Sequence, residues 1–430
     1  MTRDAVRMPP VTVVLLVVAL LVAACSGRAS APGDLAEPVE VFAGLRGDDA
    51  EALREVLADF TARTGIATRY VGTAGFARRL PERLREGAPP DVALVPQPAL
   101  LAELARSGHL APLDGLDELE DTLPPGAFEV GIVDDVRYGV WYRVSPKSLV
   151  WYPPAAFEEA GYELPRTWDE LLALSRDIAA DGTAPWCLGI EDFGSTGWVG
   201  TDWIEDLVLR LNGPEVYDGW VAGEVPFTDP RIAAAFDAFG QVTLTPGMVA
   251  GGTRAALTTP ALEALWPMLD DPPGCLLSRQ AAFQVSNLPP GTTLGPDGDL
   301  DVFVLPGMDA TPPPLVAGGE LVTAFNDRPG TRELVAHLAS PAGGAVWAAR
   351  GGFLSPHTSF DPSLHGDPFD LRLAGLLTAA PAVRFDGSDQ LPTAIGTGTF
   401  WTGIVDHLAG VPLDQVLEQI ELGGAAERTD

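Results

Sequence analysis

The sequence predicts an α/β protein of two lobes, each assembled from segments that lie far apart in the chain. Strand-like and helix-like patterns alternate from residue 39 to residue 108, as in a layered body with a mainly parallel sheet. A helix-rich middle follows, and strand-like runs return at Asp301 to Leu305 and Leu321 to Phe325, so the chain is expected to re-enter its first sheet through a multi-strand hinge. A length of 430 residues suffices for two medium cores. The expected division is residues 39–143 plus 299–345 in the first lobe, and 144–298 plus 346–430 in a second, helix-rich lobe.

The elements follow in order. Val39 to Ala43 is a short apolar strand, and Asp48 or Asp49 is positioned to cap a helix that carries Leu53, Val56, Leu57 and Phe60 at helical spacing up to Gly65. Ala67 to Val71 reads as a strand, Phe76 to Arg85 as a helix bent or restarted at Pro81, Asp91 to Val95 as a strand, and Pro98 to Ser107 as a helix. Ligands of such sheets sit beyond the carboxyl ends of the strands, which groups Gly44 to Asp48, Gly72 to Phe76 and Pro96 to Pro98 around one crevice. Two further strands, Tyr138 to Val144 and Ser148 to Tyr152, flank Ser145-Pro146-Lys147. Thr167-Trp168-Asp169-Glu170 is a capping box, and Asp229-Pro230 opens another helix. Gln280 to Ser286 reads as a strand, Pro329 to Ala339 as a helix, and Thr399 to Leu408 and Leu413 to Leu422 as the closing helices.

The first 38 residues have a different character. Arg3 and Arg7 precede an apolar run from Val11 to Ala24, whose helix would span roughly 21 Å, short of the roughly 30 Å of a bilayer core. That suits an export signal better than a permanent span. Ala23-Ala24-Cys25 resembles a bacterial lipobox, in which the cysteine is acylated and becomes the mature N-terminus. Residues 26–38, rich in Ser, Gly, Ala and Pro, fit a flexible tether. The expected location is therefore outside the cell, anchored by lipid to the outer face of the cytoplasmic membrane. Cys187 and Cys275 remain. In an oxidising compartment a lone pair is usually bridged, with two buried thiols or a metal pair as the alternatives.

Composition narrows the function classes. A formal net charge of -32, spread along the chain, disfavours nucleic acid and anionic lipid as partners. Ten tryptophans, several beside Asp, Gly or Thr rather than inside apolar periodic runs, supply flat aromatic faces. The five histidines, at 109, 337, 357, 365 and 407, show no ligand spacing, and His357 and His365 read as surface residues of a loop. No Walker A, G-x-S-x-G, H-E-x-x-H or G-x-G-x-x-G pattern occurs, and no metal or cofactor is expected.

Several segments together resemble one family. They include Pro90 to Pro98, Tyr138 to Arg143, Ser145 to Tyr152, Thr167 to Leu171, Thr201 to Asp206, Asp271 to Cys275, Gly351 to His357, Arg384 to Asp389 and Phe400 to Gly403. In this order, behind a lipobox, they resemble the extracellular solute-binding proteins of carbohydrate ATP-binding-cassette importers, the maltose-binding-protein superfamily, and within it the α-glucoside-type branch. Pro153 departs from the Asn that many relatives carry at that turn, and the Gly194 to Gly197 loop looks individual. The resemblance implies a two-lobed, periplasmic-binding-protein-like fold that closes on a sugar without catalysis. The implied partners are permease subunits and a cytoplasmic ATPase, with the binding protein itself a monomer.

Candidate contacts follow from position. Trp198, after a Gly-Ser-Thr-Gly loop, and Trp203 could each stack on a ligand or pack in the core, with Asp202 between them. Trp401 resembles a late Trp of the superfamily that stacks on sugar. Arg46 and Asp48 lie in the loop after the first strand, and Gln97 at a strand end between two prolines. Glu320 follows Gly318-Gly319, and Asp386 lies within Arg384 to Asp389. Lys147 is expected to pair with an acid at the hinge. The rival classes are an exported glycoside-acting enzyme, a binding lipoprotein for another solute, and a structural lipoprotein.

Overall fold

Two sets of apolar strands separate into two sheets, and the computed structural model describes them within residues 37–123, 127 and 129–427. The expected signal peptide, Cys25 and residues 26–36 of the tether lie outside the described residues.

β1 (Val39–Ala43) is buried along its whole length, with β2 (Thr68–Gly72) and β3 (Val92–Val95) parallel to it on either side. β3 reads as a continuous apolar run and β1 as one broken only by Glu40, which pairs with Arg69 and Arg83. α1 (Gly47–Thr64) places Leu53, Val56, Leu57 and Phe60 against the sheet and ends at Gly65, whose φ of 77° is left-handed. α2 (Phe76–Arg85) runs through Pro81 as one helix rather than restarting there, and α3 (Pro98–Arg106) begins with proline in its first turn. A small hairpin joins β4 (Ile132–Val133) to β5 (Val136–Arg137).

The chain then changes sheets. β6 (Val140–Pro146) belongs to the first sheet and β7 (Leu149–Tyr152) to the second, with Lys147 and Ser148 between them. After α4 (Pro154–Ala160) and α5 (Trp168–Ala180), capped by Thr167 as the sequence predicts, come β8 (Ala184–Trp186), α6 (Trp198–Val221) and α7 (Pro230–Thr243). β9 (Cys275–Arg279), β10 (Asp301–Val304), β11 (Leu315–Ala324) and β12 (Val383–Phe385) complete the strands. Among the described residues the first sheet has the order β12-β11-β3-β1-β2, with β6 also on β11, and the second has the order β10-β7-β9-β8. The first is mixed rather than mainly parallel, since β11 runs antiparallel to both β3 and β6.

Three departures from the sequence reading have clear causes. Residues 275–279, not 280–286, form the strand, and Ala282–Asn287 is a 3₁₀ turn that follows it. Both stretches are apolar, and period alone cannot separate them. β10 pairs with β7 in the second sheet, although residues from 299 onward were expected in the first lobe, and β12 returns to the first sheet from a segment expected in the second. Helix α1 starts one residue before Asp48, so neither Asp48 nor Asp49 is its cap.

The buried apolar residues form two clusters, and β7 sends Leu149 and Trp151 to one and Val150 and Tyr152 to the other. Phe42, Phe60, Leu94 and Leu101 are in one, and Trp186, Trp203, Phe236 and Phe239 in the other. Cys187 and Cys275 form a disulfide with Cα atoms 5.4 Å apart, beside the β8–β9 ladder. Closing an 88-residue separation contributes about 4 kcal/mol in the chain-entropy model. Among the described residues no helix is long and apolar enough to cross a membrane.

Candidate functional site

The carboxyl ends of β1, β2 and β3 deliver Gly44 to Arg46, Thr73 to Ala77 and Pro96 to Gln97 to one wall of a cavity of about 270 Å³. The opposite side comes from the loop at 192–198, from Phe283, Ser286 and Asn287, and from Ser388, Asp389 and Trp401. This is the crevice expected from the strand ends, now with a second wall.

Two glycines shape it. Gly319 has φ 149°, and a Cβ there would lie 1.8 Å from the Arg143 carbonyl oxygen, so only glycine permits the β6–β11 approach. The register shift that follows it turns Glu320 into the cavity. Gly197 has φ 115°, and its Cβ would lie 2.3 Å from the Trp401 carbonyl oxygen. The loop carrying Trp198 therefore presses directly on the backbone of Trp401. A π-helix, Ala394–Phe400, brings the chain to Trp401, a geometry frequent at functional sites.

The aromatic groups differ in what they leave free. The Trp198 indole N–H donates to Asp192 Oδ2 at 3.2 Å, and its ring packs 5.7 Å from Phe283. The Lys147 ammonium lies 5.8 Å from the same ring centre, within cation–π range. Trp401 is 8% exposed and its N–H has no partner. Phe76 also lines the cavity.

Two ion networks border the cleft. On one wall, buried Arg143 donates from Nε and Nη2 to the two Glu320 carboxylate oxygens, at 3.0 and 3.2 Å, and from Nη1 to Asp49 at 3.0 Å. Asp49 also accepts from Ser286 at 2.5 Å. Burial would depress the Arg143 pKa, but its two carboxylates outweigh that and hold it above the usual value. At the β6–β7 junction, Lys147 Nζ donates to Asp202 at 3.1 Å and to Asp386, and Arg279 holds Asp202 at 3.0 Å and Asp206 at 2.6 Å. Arg210 adds a bond to Asp206 at 2.5 Å. The spacing of Asp202, Asp206 and Arg210 along α6 puts them on one stripe, which is why a single helix serves the whole network. Burial opposes ionisation of Asp386, but the Lys147 ammonium wins and holds it down at about 2. Glu205 and Asp389, also buried here, are pushed well above the usual range by desolvation and by Asp386.

Asp202, Glu205 and Asp386 are close enough to suggest a metal site. The cation between Asp202 and Asp386 is Lys147, however, and Glu205 accepts the backbone N–H groups of Gly387 and Ser388 at 2.8 and 3.1 Å. The donor set is already used, and a metal does not fit.

Of the residues singled out from sequence, Arg46, Gln97, Trp198, Asp202, Glu320 and Trp401 line the cavity. Asp202 does so with both carboxylate oxygens engaged by Lys147 and Arg279. Trp203 does not line it. It is a core residue, 1% exposed, between Trp186 and Phe239. Asp386 is fully buried, holding Lys147 and capping the turn at 387–390. Asp48 points to solvent, 3.9 Å from Arg350. His357 is buried, with Nδ1 2.8 Å from Thr122 Oγ1, rather than at the surface. Lys147 pairs with acids, as expected. Asp49, Arg143, Asp192, Phe283, Ser286 and Asp389 are cavity residues that the sequence reading did not select. Arg143 and Asp389 lie inside family-like segments, the one signal that could have found them.

In sequence and in fold the chain is similar to known proteins. The model of the family described as bacterial extracellular solute-binding protein matches residues 44–345. The osmoprotective compounds-binding protein GgtB of Synechocystis sp. is 40% identical, with 95% of this chain and 97% of that protein covered. The alpha-glucosides-binding periplasmic protein AglE of Rhizobium meliloti is 36% identical, with 87% and 84% covered. The solute receptor AcbH has the same fold at a TM-score of 0.78 and 17% identity, covering 90% of this chain and 98% of that one. Maltose-bound MalE3 of T. maritima superimposes at 0.69, with 16% identity and 89% and 98% covered. The chain belongs to the family of bacterial extracellular solute-binding proteins.

Proposed function

We propose that the cavity captures a neutral sugar, an α-glucoside or a related small osmoprotective saccharide, as the substrate-binding component of an ATP-binding-cassette importer. The observation that carries this reading is the composition of one cavity, lined by the rings of Trp198, Phe76 and Phe283 and by polar groups of Arg46, Gln97, Glu320 and Trp401. Apolar rings suit the C–H face of a pyranose, and fixed polar groups suit its hydroxyls. The names of GgtB and AglE support the same substrate class.

In this reading the two sheets belong to two lobes that rotate about the connections between β6 and β7 and between β10 and β11. The solute favours the closed form only through contacts absent from the open one. Permease subunits then accept the loaded protein, and a partner ATPase supplies the energy. Acylation of Cys25 would tether the body to the membrane, which labelling with an alkyne fatty acid, lost in Cys25→Ser, would test.

The primary test is thermal unfolding of the mature body with a panel of mono-, di- and trisaccharides. A sugar at 100 times its dissociation constant should stabilise the fold by about 2.7 kcal/mol. If no saccharide shifts the midpoint, the proposal fails.

A further inference from the structure

We propose that Trp401 and Gln97 read the solute by a polar edge: the Trp401 indole N–H donates to an oxygen of the bound molecule, and the Gln97 side-chain carbonyl accepts from one of its hydroxyls. This deepens the sugar-capture reading and rests on it for the identity of the solute.

The two atoms are complementary. Trp401 Nε1 and Gln97 Oε1 are both buried without a protein partner, and both residues line the same cavity. Buried polar atoms in folded proteins are nearly always paired. A leftover donor and a leftover acceptor in one cavity match a sugar's hydroxyls, each of which can donate and accept. Gln97 favours the ionised form of neighbouring Asp389, and its carbonyl oxygen is the buried atom left without a partner.

An unpaired indole N–H alone would not carry the argument, because Trp203 and Trp220 also hold theirs unpaired in the core. Trp401 differs in reaching the cavity and in having an acceptor there to complement it. At 8% exposure it has little open face for a sugar ring to cover. The loop at Gly197 presses on its backbone and holds it in place. Trp198 is the converse case: its N–H is spent on Asp192, so what it offers a ligand is its face. The two tryptophans thus divide the work between stacking and hydrogen bonding.

Titration calorimetry on the mature protein tests this with maltose, sucrose, trehalose and methyl α-glucoside, followed by the monodeoxy analogues of whichever bind. Trp401→Phe keeps an aromatic six-membered ring and removes the N–H together with the rest of the pyrrole, and Gln97→Leu removes the acceptor. Each should weaken the parent sugar ten- to a hundredfold, about 1.4 to 2.8 kcal/mol. For one deoxy analogue the loss should vanish, because the hydroxyl that made the bond is gone. Unchanged affinity in Trp401→Phe, or an equal loss for every analogue, would overturn the proposal. If the wild type binds none of the four sugars, the sugar reading fails, and unliganded Trp401→Phe decides the polar-edge assignment. An unchanged or raised unfolding midpoint supports a donor held in reserve. A fall no larger than that of Trp203→Phe, which loses the same ring volume and an equally unpaired N–H, supports it too, whereas a larger fall means that the protein itself uses the group, and overturns it.

Discussion

The two ion networks beside the cleft use the same residue types to opposite ends. On the wall, one cation, Arg143, serves two acids, Asp49 and Glu320, and all three line the cavity. At the β6–β7 junction, three cations, Lys147, Arg210 and Arg279, meet the three ion-paired acids Asp202, Asp206 and Asp386, which are at most 1% exposed. With Arg46 on the same side, the wall also balances its charges, but its groups border the cavity instead of being closed off from it. The junction is balanced and closed, and it ties strands from both sheets to α6. Whether an acid can bind solute is thus set by how far it is closed off from the cavity.

The largest expected effect is at the junction. Lys147→Met would leave buried Asp386 without a cation and Asp202 with Arg279 alone, and urea unfolding should show a loss of about 3–5 kcal/mol. Adding Asp386→Asn should recover part of it. A loss below about 1 kcal/mol would mean that the network is ornamental.

Acid titration should separate the junction from the rest of the fold. His357 is held down at about 4, chiefly by burial, so the unfolded chain takes up its proton first. The stability it contributes is complete above pH 6.5 and is lost as the pH falls toward 4, by roughly 1–3 kcal/mol. Asp386 is depressed too, but as an acid from 3.8 to about 2, so its contribution is present above pH 3.8 and lost between 3.8 and 2, by about 2 kcal/mol. Asp202 and Asp370, raised to about 6 chiefly by burial, work against the upper loss because the folded chain protonates them first, so His357→Asn should make the profile between pH 6.5 and 4 less steep and leave the part below 3.8 unchanged.

Glu320→Gln probes the wall. It removes one of two charges shared by Arg143, so stability should change by no more than about 1 kcal/mol, while sugar affinity measured by calorimetry should fall about tenfold. A larger effect on folding than on binding would make the wall a second junction. Asp48→Ala, exposed and near Arg350 only, should change both by less than about 0.5 kcal/mol.

Much of this was legible in the amino-acid order, and the misses are instructive. The strand ends that gather Arg46 and Gln97 follow from local alternation, and Gly318-Gly319 marks the place in β11 where the backbone comes close to β6 beside Glu320. The loop before Trp198 separated it from core tryptophans. Trp203 has the same neighbours in sequence, but five positions further along α6 its ring meets Trp186 and Phe239 instead of the cavity. Asp386 and Asp202 looked like ligand acids because their partner, Lys147, lies 239 and 55 residues away. β10 was placed on the wrong sheet for a similar reason: its own pattern is that of a strand, and only pairing with β7 decides which sheet receives it.

By itself the sequence determined the succession of strands and helices, the caps at Thr167 and Asp229, and the glycines without which two backbones could not approach. These depend on local sterics and short-range hydrogen bonding, which a few neighbouring residues specify. Tertiary structure alone decided which carboxylates are consumed by cations, which indole offers its face and which its N–H, and where the chain crosses between sheets. Those outcomes depend on contacts between segments tens to hundreds of residues apart, and no local pattern encodes the distance at which two such side chains meet.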